Sequence, residues 1–191
     1  MKISGPGESS LLLLKIVKLL NKLNISYAVV GAFAASFYGL VRASLDADAV
    51  ISVGQNEQRF NQLLSSFKKA ALKVKIRRGD FQDPIRCVIN IEDKFQNRVD
   101  LLIGIRGMKQ DAFHRVKKTS FLHVSIKIIS MEDFIAMKIF AGSAKDIQDA
   151  IGVLSVSGQK IDLNFLKKLT AQYGKDCTQI LHTILKAPPS Y

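Results

Sequence analysis

Two stretches of the chain decide its fold, Val29-Val30-Gly31-Ala32-Phe33 and Leu45-Asp46-Ala47-Asp48-Ala49-Val50-Ile51. Apolar residues occupy every second position of the second stretch, and this alternation predicts a strand with one apolar face. Because alternate residues of a strand project from the same side, we expect Asp46 and Asp48 to lie together on the opposite face. The first stretch predicts a short buried strand that ends at its glycine and is followed by a helix.

A third carboxylate, Asp100, precedes the apolar run Leu101-Leu102-Ile103. On a neighbouring strand it could complete an all-oxygen site with Asp46 and Asp48, which suits Mg²⁺ or Mn²⁺ carrying a nucleoside triphosphate. Two such ions can hold the attacking and leaving oxygens of a phosphoryl transfer. The pattern predicts that all three aspartates are catalytic metal ligands, whereas the alternative is a set of exposed carboxylates at strand ends. Gly31 would let the backbone approach the phosphates closely.

The remaining pattern predicts an α/β (α+β) fold, with a mixed sheet flanked by helices and then a C-terminal helical bundle. We expect a nucleotidyltransferase-type core at residues 1–129 and a helical part at 130–191, because Ser130-Met131-Glu132-Asp133 resembles a capping box. The predicted strands are 27–30, 45–53, 72–77, 85–91, 98–103 and 123–129, and the predicted helices are 10–23, 32–40, 57–70, 108–115, 131–141, 144–155, 163–173 and 176–186.

Composition narrows the classes of function. Two cysteines and three scattered histidines predict neither a disulfide framework nor a zinc cluster, and a reducing cytoplasm is the expected location. The run Leu11–Leu14 is too short and too closely followed by lysines to cross a membrane. A net charge of +12 attracts polyanions, among which nucleotides, RNA and an acidic partner protein are candidates. The densest basic run, from Lys68 to Arg78, could equally be a solvated face.

The segment from Val29 to Asp48 resembles the signature of the polymerase-beta-type nucleotidyltransferase superfamily, in which a glycine element precedes an Asp-x-Asp pair. More closely, it resembles the small bacterial abortive-infection (toxin-type) nucleotidyltransferases. Their Arg-x-Thr-x-Asp-x-Asp string is matched at residues 42–48 with serine in place of threonine. Their later Lys and Lys-Asp-x-x-Asp element is matched by Lys138 and residues 145–149. In the family Gly or Ser usually follows the glycine, whereas Ala32 here offers only its backbone N–H.

This resemblance implies transfer of a nucleoside monophosphate from a triphosphate to a hydroxyl. RNA or tRNA is a candidate acceptor for a toxin-like activity, and an antitoxin-like protein is a candidate partner. The residues that it assigns to nucleotide binding are Gly31, Ala32, Arg42, Ser44, Lys138, Lys145 and Asp146. Several alternatives stay open for the charged ones. Lys138 could extend to solvent, Lys145 could pair with Asp149, and Asp146 could pair with Arg42 or orient a lysine.

Two other functions remain compatible with the sequence. The missing hydroxyl at Ala32 favours a catalytically weakened binding or regulatory module within a two-gene toxin–antitoxin pair. A generic basic nucleic-acid-binding protein is the third reading, and its affinity should depend on salt but not on the three aspartates.

Overall fold

Seven strands form one mixed sheet in the computed structural model, which describes residues 2–54, 57–157 and 160–186. The strands are β1 (Ser26–Val30), β2 (Asp46–Ser52), β3 (Lys73–Arg78), β4 (Ile85–Glu92), β5 (Arg98–Ile105), β6 (Lys117–Phe121) and β7 (Val124–Ile128). Their order across the sheet is β3-β4-β5-β2-β1-β7-β6. The pairs β2–β5 and β1–β7 are parallel, and the other neighbours are antiparallel. The predicted mixed sheet is confirmed.

The helices lie close to their predicted positions. They are α1 (Ser9–Lys22), α2 (Gly31–Phe37), α3 (Glu57–Lys69), α4 (Met131–Ala141), α5 (Ala144–Ser157), α6 (Leu163–Gln172) and α7 (Lys175–Lys186). Helix α1 packs against β2 and β5, whereas α3 packs against β3. Helix α4 contacts α5, α6 and α7 and so forms the centre of the helical part. The division of the chain at residues 129 and 130 stays a prediction. None of the described helices is both long and apolar enough to cross a membrane.

Helix α1 supplies much of the core on one side of the sheet. Six of its apolar residues are completely buried, and they are Leu12, Leu13, Leu14, Ile16, Val17 and Leu20. Its lysines at positions 15, 18 and 22 remain exposed, so the helix is amphipathic. Each buried aliphatic side chain contributes about 1.5–3 kcal/mol relative to an exposed one.

The prediction missed strand β6 and assigned a helix where only a short 3₁₀ turn, Gln110–Phe113, is found. Strand β6 begins with Lys-Lys-Thr-Ser and lies at the edge of the sheet, so its sequence shows no alternation of apolar residues. The turn to β7 is made by Leu122 and His123 at φ 49° and 62°. Two-residue hairpin turns of this kind usually contain Asn or Gly. Because neither residue occurs at positions 122 and 123, the sequence pattern did not indicate a hairpin.

A buried ion pair joins the sheet to the helical part. Arg115 donates from Nε and Nη2 to the carboxylate of Asp133, at 2.9 and 2.8 Å, and its guanidinium lies over the ring of Phe165. Ser130 caps α4 as predicted by accepting from the Asp133 N–H at 3.1 Å. Its hydroxyl also donates to the Asp133 carboxylate at 2.7 Å. Both oxygens of this carboxylate are therefore satisfied although the residue is 4% exposed.

We expect Arg115→Ala to lower the free energy of unfolding by about 3 kcal/mol, because it leaves the Asp133 carboxylate buried without its cation. Urea denaturation followed by circular dichroism measures the change. The matched control is Lys73→Ala, which breaks an exposed pair with Glu92 at 3.4 Å and should change stability by about 0.5 kcal/mol or less. Equal effects of the two substitutions would contradict this role for Arg115.

Candidate active site

The three predicted aspartates lie together on one face of the sheet. The parallel register of β2 and β5 places Asp48 directly beside Asp100 and places Asp46 beside Arg98. Side chains opposite each other on paired strands share a face, so these carboxylates project in the same direction. The charges of Asp46 and Asp100 also both act on Asp48. This arrangement requires the pairing of two strands that are far apart in sequence.

The pKa of Asp48 is raised to about 6, chiefly by burial and in addition by the charges of Asp46 and Asp100. Lys138 and Arg42 act in the opposite direction, but they do not cancel the effect. The other two carboxylates are held by neighbours. Ser44 Oγ donates to Asp46 Oδ1 at 2.7 Å, and Asn90 Nδ2 donates to Asp100 Oδ1 at 2.8 Å. Asn90 is a site residue that the sequence pattern did not indicate. The cluster therefore carries negative charge that the chain only partly compensates.

Gly31 allows the backbone to pass against the Asp48 carboxylate. Antiparallel pairing places Asp48 opposite Val30, immediately before the start of α2. Gly31 has φ +63°, a left-handed conformation that strains other residues. A methyl group on its Cα would overlap a carboxylate oxygen of Asp48 and lie 3.0 Å from its Cγ. Glycine is thus required here by both conformation and space.

Ser9 fixes the two strands that carry the aspartates. This buried hydroxyl donates to the carbonyl of Leu45 at 2.6 Å and accepts from the N–H of Arg98 at 3.0 Å. These backbone groups immediately precede Asp46 on β2 and lie two residues before Asp100 on β5. The N-cap position of α1 is Glu8, so Ser9 does not serve as the helix cap. Ser9 is instead a positioning residue of the site.

Lys138 and Arg42 meet at a pair of acids on α5. Lys138 Nζ lies 2.6 Å from Asp146 Oδ1 and 2.9 Å from Asp149 Oδ2, and Arg42 Nη1 also donates to Asp149. Asp149 is only 3% exposed, so its carboxylate depends on these two cations. The Nε of Arg42 is buried without a partner in the described part of the chain. Asp149 is the centre of this network. Its role was missed because Lys145, four residues earlier in the sequence, suggested a surface pair.

The open alternatives for these charged residues are resolved by the network. Lys138 is 9% exposed and bonded to acids, so it does not extend to solvent. Asp146 orients Lys138 and does not pair with Arg42. Burial opposes ionisation of Asp146, but hydrogen bonds from Lys138 and Ser143 hold its pKa below the ordinary value. The alternative of a Lys145–Asp149 pair is not found, since Lys145 is exposed and forms no ion pair within the described residues.

Two cavities flank the carboxylates. The first, of about 310 Å³, is bordered by Gly31, Asp48, Lys138 and Asp146, and its other walls are mainly apolar side chains of α4 and β5. The second, of about 380 Å³, is bordered by Ala32, Arg42, Ser44 and Asp46, together with Phe33, Phe121 and several hydroxyls. Of the predicted site residues, Asp100 and Lys145 line neither cavity. The two spaces could accommodate two reactants on opposite sides of the aspartates.

The donors of the site are carboxylate oxygens, the ligand type that Mg²⁺ and Mn²⁺ prefer. The raised pKa of Asp48 shows that the cluster would gain from a cation. The residues therefore fit a hard divalent ion by their chemistry. Across residues 2–54, 57–157 and 160–186, no group of three or more His, Cys, Asp or Glu side chains is arranged so that it could hold a metal ion. Ligation by Asp46, Asp48 and Asp100 stays a prediction.

The chain matches a known protein family over most of its length. Residues 12–184 match the profile of DUF6036, described as a nucleotidyltransferase family of unknown function. The chain belongs to this nucleotidyltransferase family. The resemblance to the polymerase-beta-type superfamily is confirmed at that level, and nothing in the matches points to the abortive-infection group. No curated protein matches the sequence closely enough to be a relative.

Solved structures share the fold at low sequence identity. The crystal structure of ANT(2″)-Ia in complex with adenylyl-2″-tobramycin superposes with a TM-score of 0.58 at 14% identity, covering 85% of this chain and 94% of that one. A solution structure of the same antibiotic-resistance factor gives 0.57 at 12% identity, with coverages of 92% and 93%. A nucleotidyltransferase-like protein from Paracoccidioides brasiliensis gives 0.48 at 19% identity, with coverages of 93% and 94%. The first two likenesses establish the nucleotidyltransferase fold.

We expect Gly31→Ala to abolish nucleotide-dependent function and to lower the free energy of unfolding by about 2 kcal/mol or more, because it adds both strain and overlap with Asp48. The control is Gly142→Ala. Gly142 has φ +70°, but a methyl group there would meet its nearest atoms at 3.7 Å. It should therefore cost about 1 kcal/mol from conformation alone. Triphosphate binding and urea unfolding check both variants, and equal losses would contradict the close approach at Gly31.

We also expect Asp48→Asn to stabilise the metal-free protein at pH 7.5 by about 2 kcal/mol. The pKa of Asp48 is about 6 in the folded chain and near 4 in the unfolded chain. The folded state therefore binds more protons between these values, and its stability falls as pH rises from about 4 to 6. At pH 4 the substitution should change little, which provides the control. Added Mn²⁺ should raise the melting temperature of the unmodified protein only. A destabilised variant at pH 7.5 would refute this account.

Proposed function

We propose that the protein transfers a nucleoside monophosphate from a nucleoside triphosphate to a hydroxyl group of an acceptor. The observation that carries the proposal is the adjacency of Asp46, Asp48 and Asp100 beside Gly31. The fold and the DUF6036 membership support the reaction class. In this proposal Asp46 and Asp48 hold the catalytic ions and Asp100 completes the site. A bound Mg²⁺ or Mn²⁺ would acidify the attacking hydroxyl and neutralise charge on the phosphates.

The chain's own cations would hold the triphosphate. Gly31 and Ala32 would offer backbone N–H groups at the start of α2 to the phosphates, and Gly31 already lies against the Asp48 carboxylate. Lys138 borders the same cavity as Asp48, and Arg42 borders the cavity at Asp46. Both cations are already oriented by Asp149 and Asp146, so little side-chain freedom is lost when a phosphate binds. Ser44 would orient Asp46, and Lys145 would approach the phosphates from the exposed end of α5.

The charge of the chain favours an anionic acceptor. ANT(2″)-Ia is seen with an adenylylated aminoglycoside, and an aminoglycoside carries several positive amines. A protein with a net charge of +12 repels such an acceptor, whereas it attracts RNA or tRNA. We therefore propose RNA as the acceptor, in a toxin-like reaction that an antitoxin-like partner would restrain. The protein would act in the cytoplasm.

The double substitution Asp46→Asn/Asp48→Asn should reduce label transfer from an α-labelled triphosphate to pooled RNA by about 10³-fold or more, because both shared metal ligands are lost. Each of the four ribonucleoside triphosphates is tested with Mg²⁺ and with Mn²⁺. Asp176→Asn, an exposed acid on α7, is the control for loss of a carboxylate and should leave transfer unchanged. Unaltered transfer by the double variant would refute the assignment of the site.

A second candidate function is suggested by Ala32. This residue is 5% exposed and lines the cavity at Asp46, where the superfamily usually presents glycine or a serine hydroxyl. The chain would then bind nucleotide as a regulatory module without turning it over. Calorimetry with a triphosphate and Mn²⁺ distinguishes the cases together with the transfer assay. Binding without transfer supports the module, and restored transfer in Ala32→Ser would identify the missing hydroxyl as the cause.

A further inference from the structure

A group of cations continues the face of the sheet that carries the aspartates. We call Lys75, Arg77, Arg86 and Arg98 the basic face. The strand registers place Lys75 opposite Asn90, Asn90 opposite Asp100, and Asp100 opposite Asp48. Residues at alternate positions share that side, which adds the three arginines. One row of side chains therefore leads from the reactive carboxylates to the edge of the sheet.

The basic face is exposed and uncompensated. All four of its side chains are exposed, and none forms an ion pair in the part of the chain that the structure describes. The neighbouring Lys73 differs, because it pairs with Glu92 at 3.4 Å. Arg86 is further fixed in place, since its side chain crosses β5 over Gly104, where an added methyl group would lie 3.1 Å from its Nε. Unpaired cations at defined positions are suited to a ligand with repeated negative charge.

An exposed aromatic side chain lies in the loop that joins the two strands carrying Lys75, Arg77 and Arg86. Phe81, in the hairpin loop between β3 and β4, is 98% exposed. The loop is held in shape, because Arg106 Nη2 donates to the carbonyls of Phe81 and Asp83 at 2.8 and 2.9 Å. The turn is also closed by the N–H of Asp80 donating to the carboxylate of Asp83 at 2.8 Å. Pro84 of the same loop borders the cavity at Asp48. An exposed ring on an ordered loop is available for stacking.

We propose that the basic face and Phe81 form a docking surface for the end of a single-stranded nucleic acid, which is the acceptor of the site. Cations that follow a backbone together with an aromatic stacking platform are the features by which proteins bind single strands. Three strand spacings separate Lys75 from Asp48, or about 14 Å. A short terminal stretch of the strand would thus bring its hydroxyl to the carboxylates. This inference says where the acceptor of the proposed function binds. It rests on the proposed function only for the role of the bound strand as the acceptor.

The basic residues of β3 have a competing explanation. It is an edge strand, and lysines on an edge discourage the addition of strands from other molecules. That role needs no ligand, and it gives no part to Phe81 or to Arg86 on β4. An acidic peptide is the other possible occupant, which would bind by charge without stacking. The experiment distinguishes these explanations in three ways. It compares single-stranded with duplex RNA, it replaces the aromatic ring, and it removes charges at two different places.

The test measures binding of the full chain to a fluorescent single-stranded RNA of about 12 nucleotides by fluorescence anisotropy. The buffer contains EDTA and no triphosphate. Lys75→Gln/Arg77→Gln should weaken binding by about tenfold or more, and its dependence on log salt should become shallower by about 1.4. Lys15→Gln/Lys18→Gln on α1 removes the same charge elsewhere and should have little effect. An equal loss in both double variants would overturn the proposal.

Phe81 provides an independent measurement. Phe81→Leu should weaken binding by about 5- to 100-fold with an unchanged salt slope, while Phe81→Tyr should bind like the unmodified protein. Unchanged affinity in Phe81→Leu, or equal binding of duplex RNA or an acidic peptide, would refute single-strand docking. Single-stranded DNA of the same sequence shows whether the 2′-hydroxyl contributes.

The design also separates this inference from the proposed function. RNA binding without any transfer activity would count against the proposed function and leave the docking surface intact. Transfer to a small hydroxyl acceptor without RNA binding would retain the reaction and overturn the docking surface. Circular dichroism of each variant verifies that it remains folded, which is expected because the substituted side chains are exposed.

Discussion

Burial of one carboxylate beside two others is the constraint on which the rest of the structure depends. Asp48 lies beside Asp46 and Asp100 in a largely buried position, and its pKa of about 6 expresses the unfavourable free energy of ionisation there. Such a cluster persists only if the backbone beneath it is fixed by packing from elsewhere. The fully buried aliphatic side chains of α1 and the parallel pairing of β2 with β5 provide that support.

The nearby cations are kept at a distance from the aspartates by acids of their own. Asp149 and Asp146 on α5 bind Lys138 and Arg42, so these cations lower the pKa of Asp48 without forming an ion pair with it. Negative charge is consequently retained where a divalent ion would bind, and positive charge is held where phosphates would bind. A direct Lys138–Asp48 pair would neutralise both groups and leave neither available to a ligand.

The sequence was sufficient for most of the described strands and helices and for the shared face of Asp46 and Asp48, because alternation and helical periodicity depend on local residues. It was insufficient wherever a partner is distant along the chain. Asn90 contacts Asp100 only after β4 and β5 pair, and Ser9 contacts residues from two strands that pair beside α1. The same reason explains why the partner of Asp149 could not be read from its helix, since Arg42 comes from far upstream in the chain. Strand β6 was missed because its turn uses Leu122 and His123 rather than the usual turn residues.

The two hydrogen bonds of Ser9 make the beginning of the chain part of the reaction centre, although it lies outside every recognised motif. Its hydroxyl helps to fix the register of β2 and β5. A one-residue slip between these strands would turn the aspartates of one strand to the opposite face of the sheet. Loss of the Ser9 hydroxyl would therefore release the strands that carry Asp46 and Asp100 from a shared anchor. In this protein a serine near the beginning of the chain helps to hold the candidate site in register.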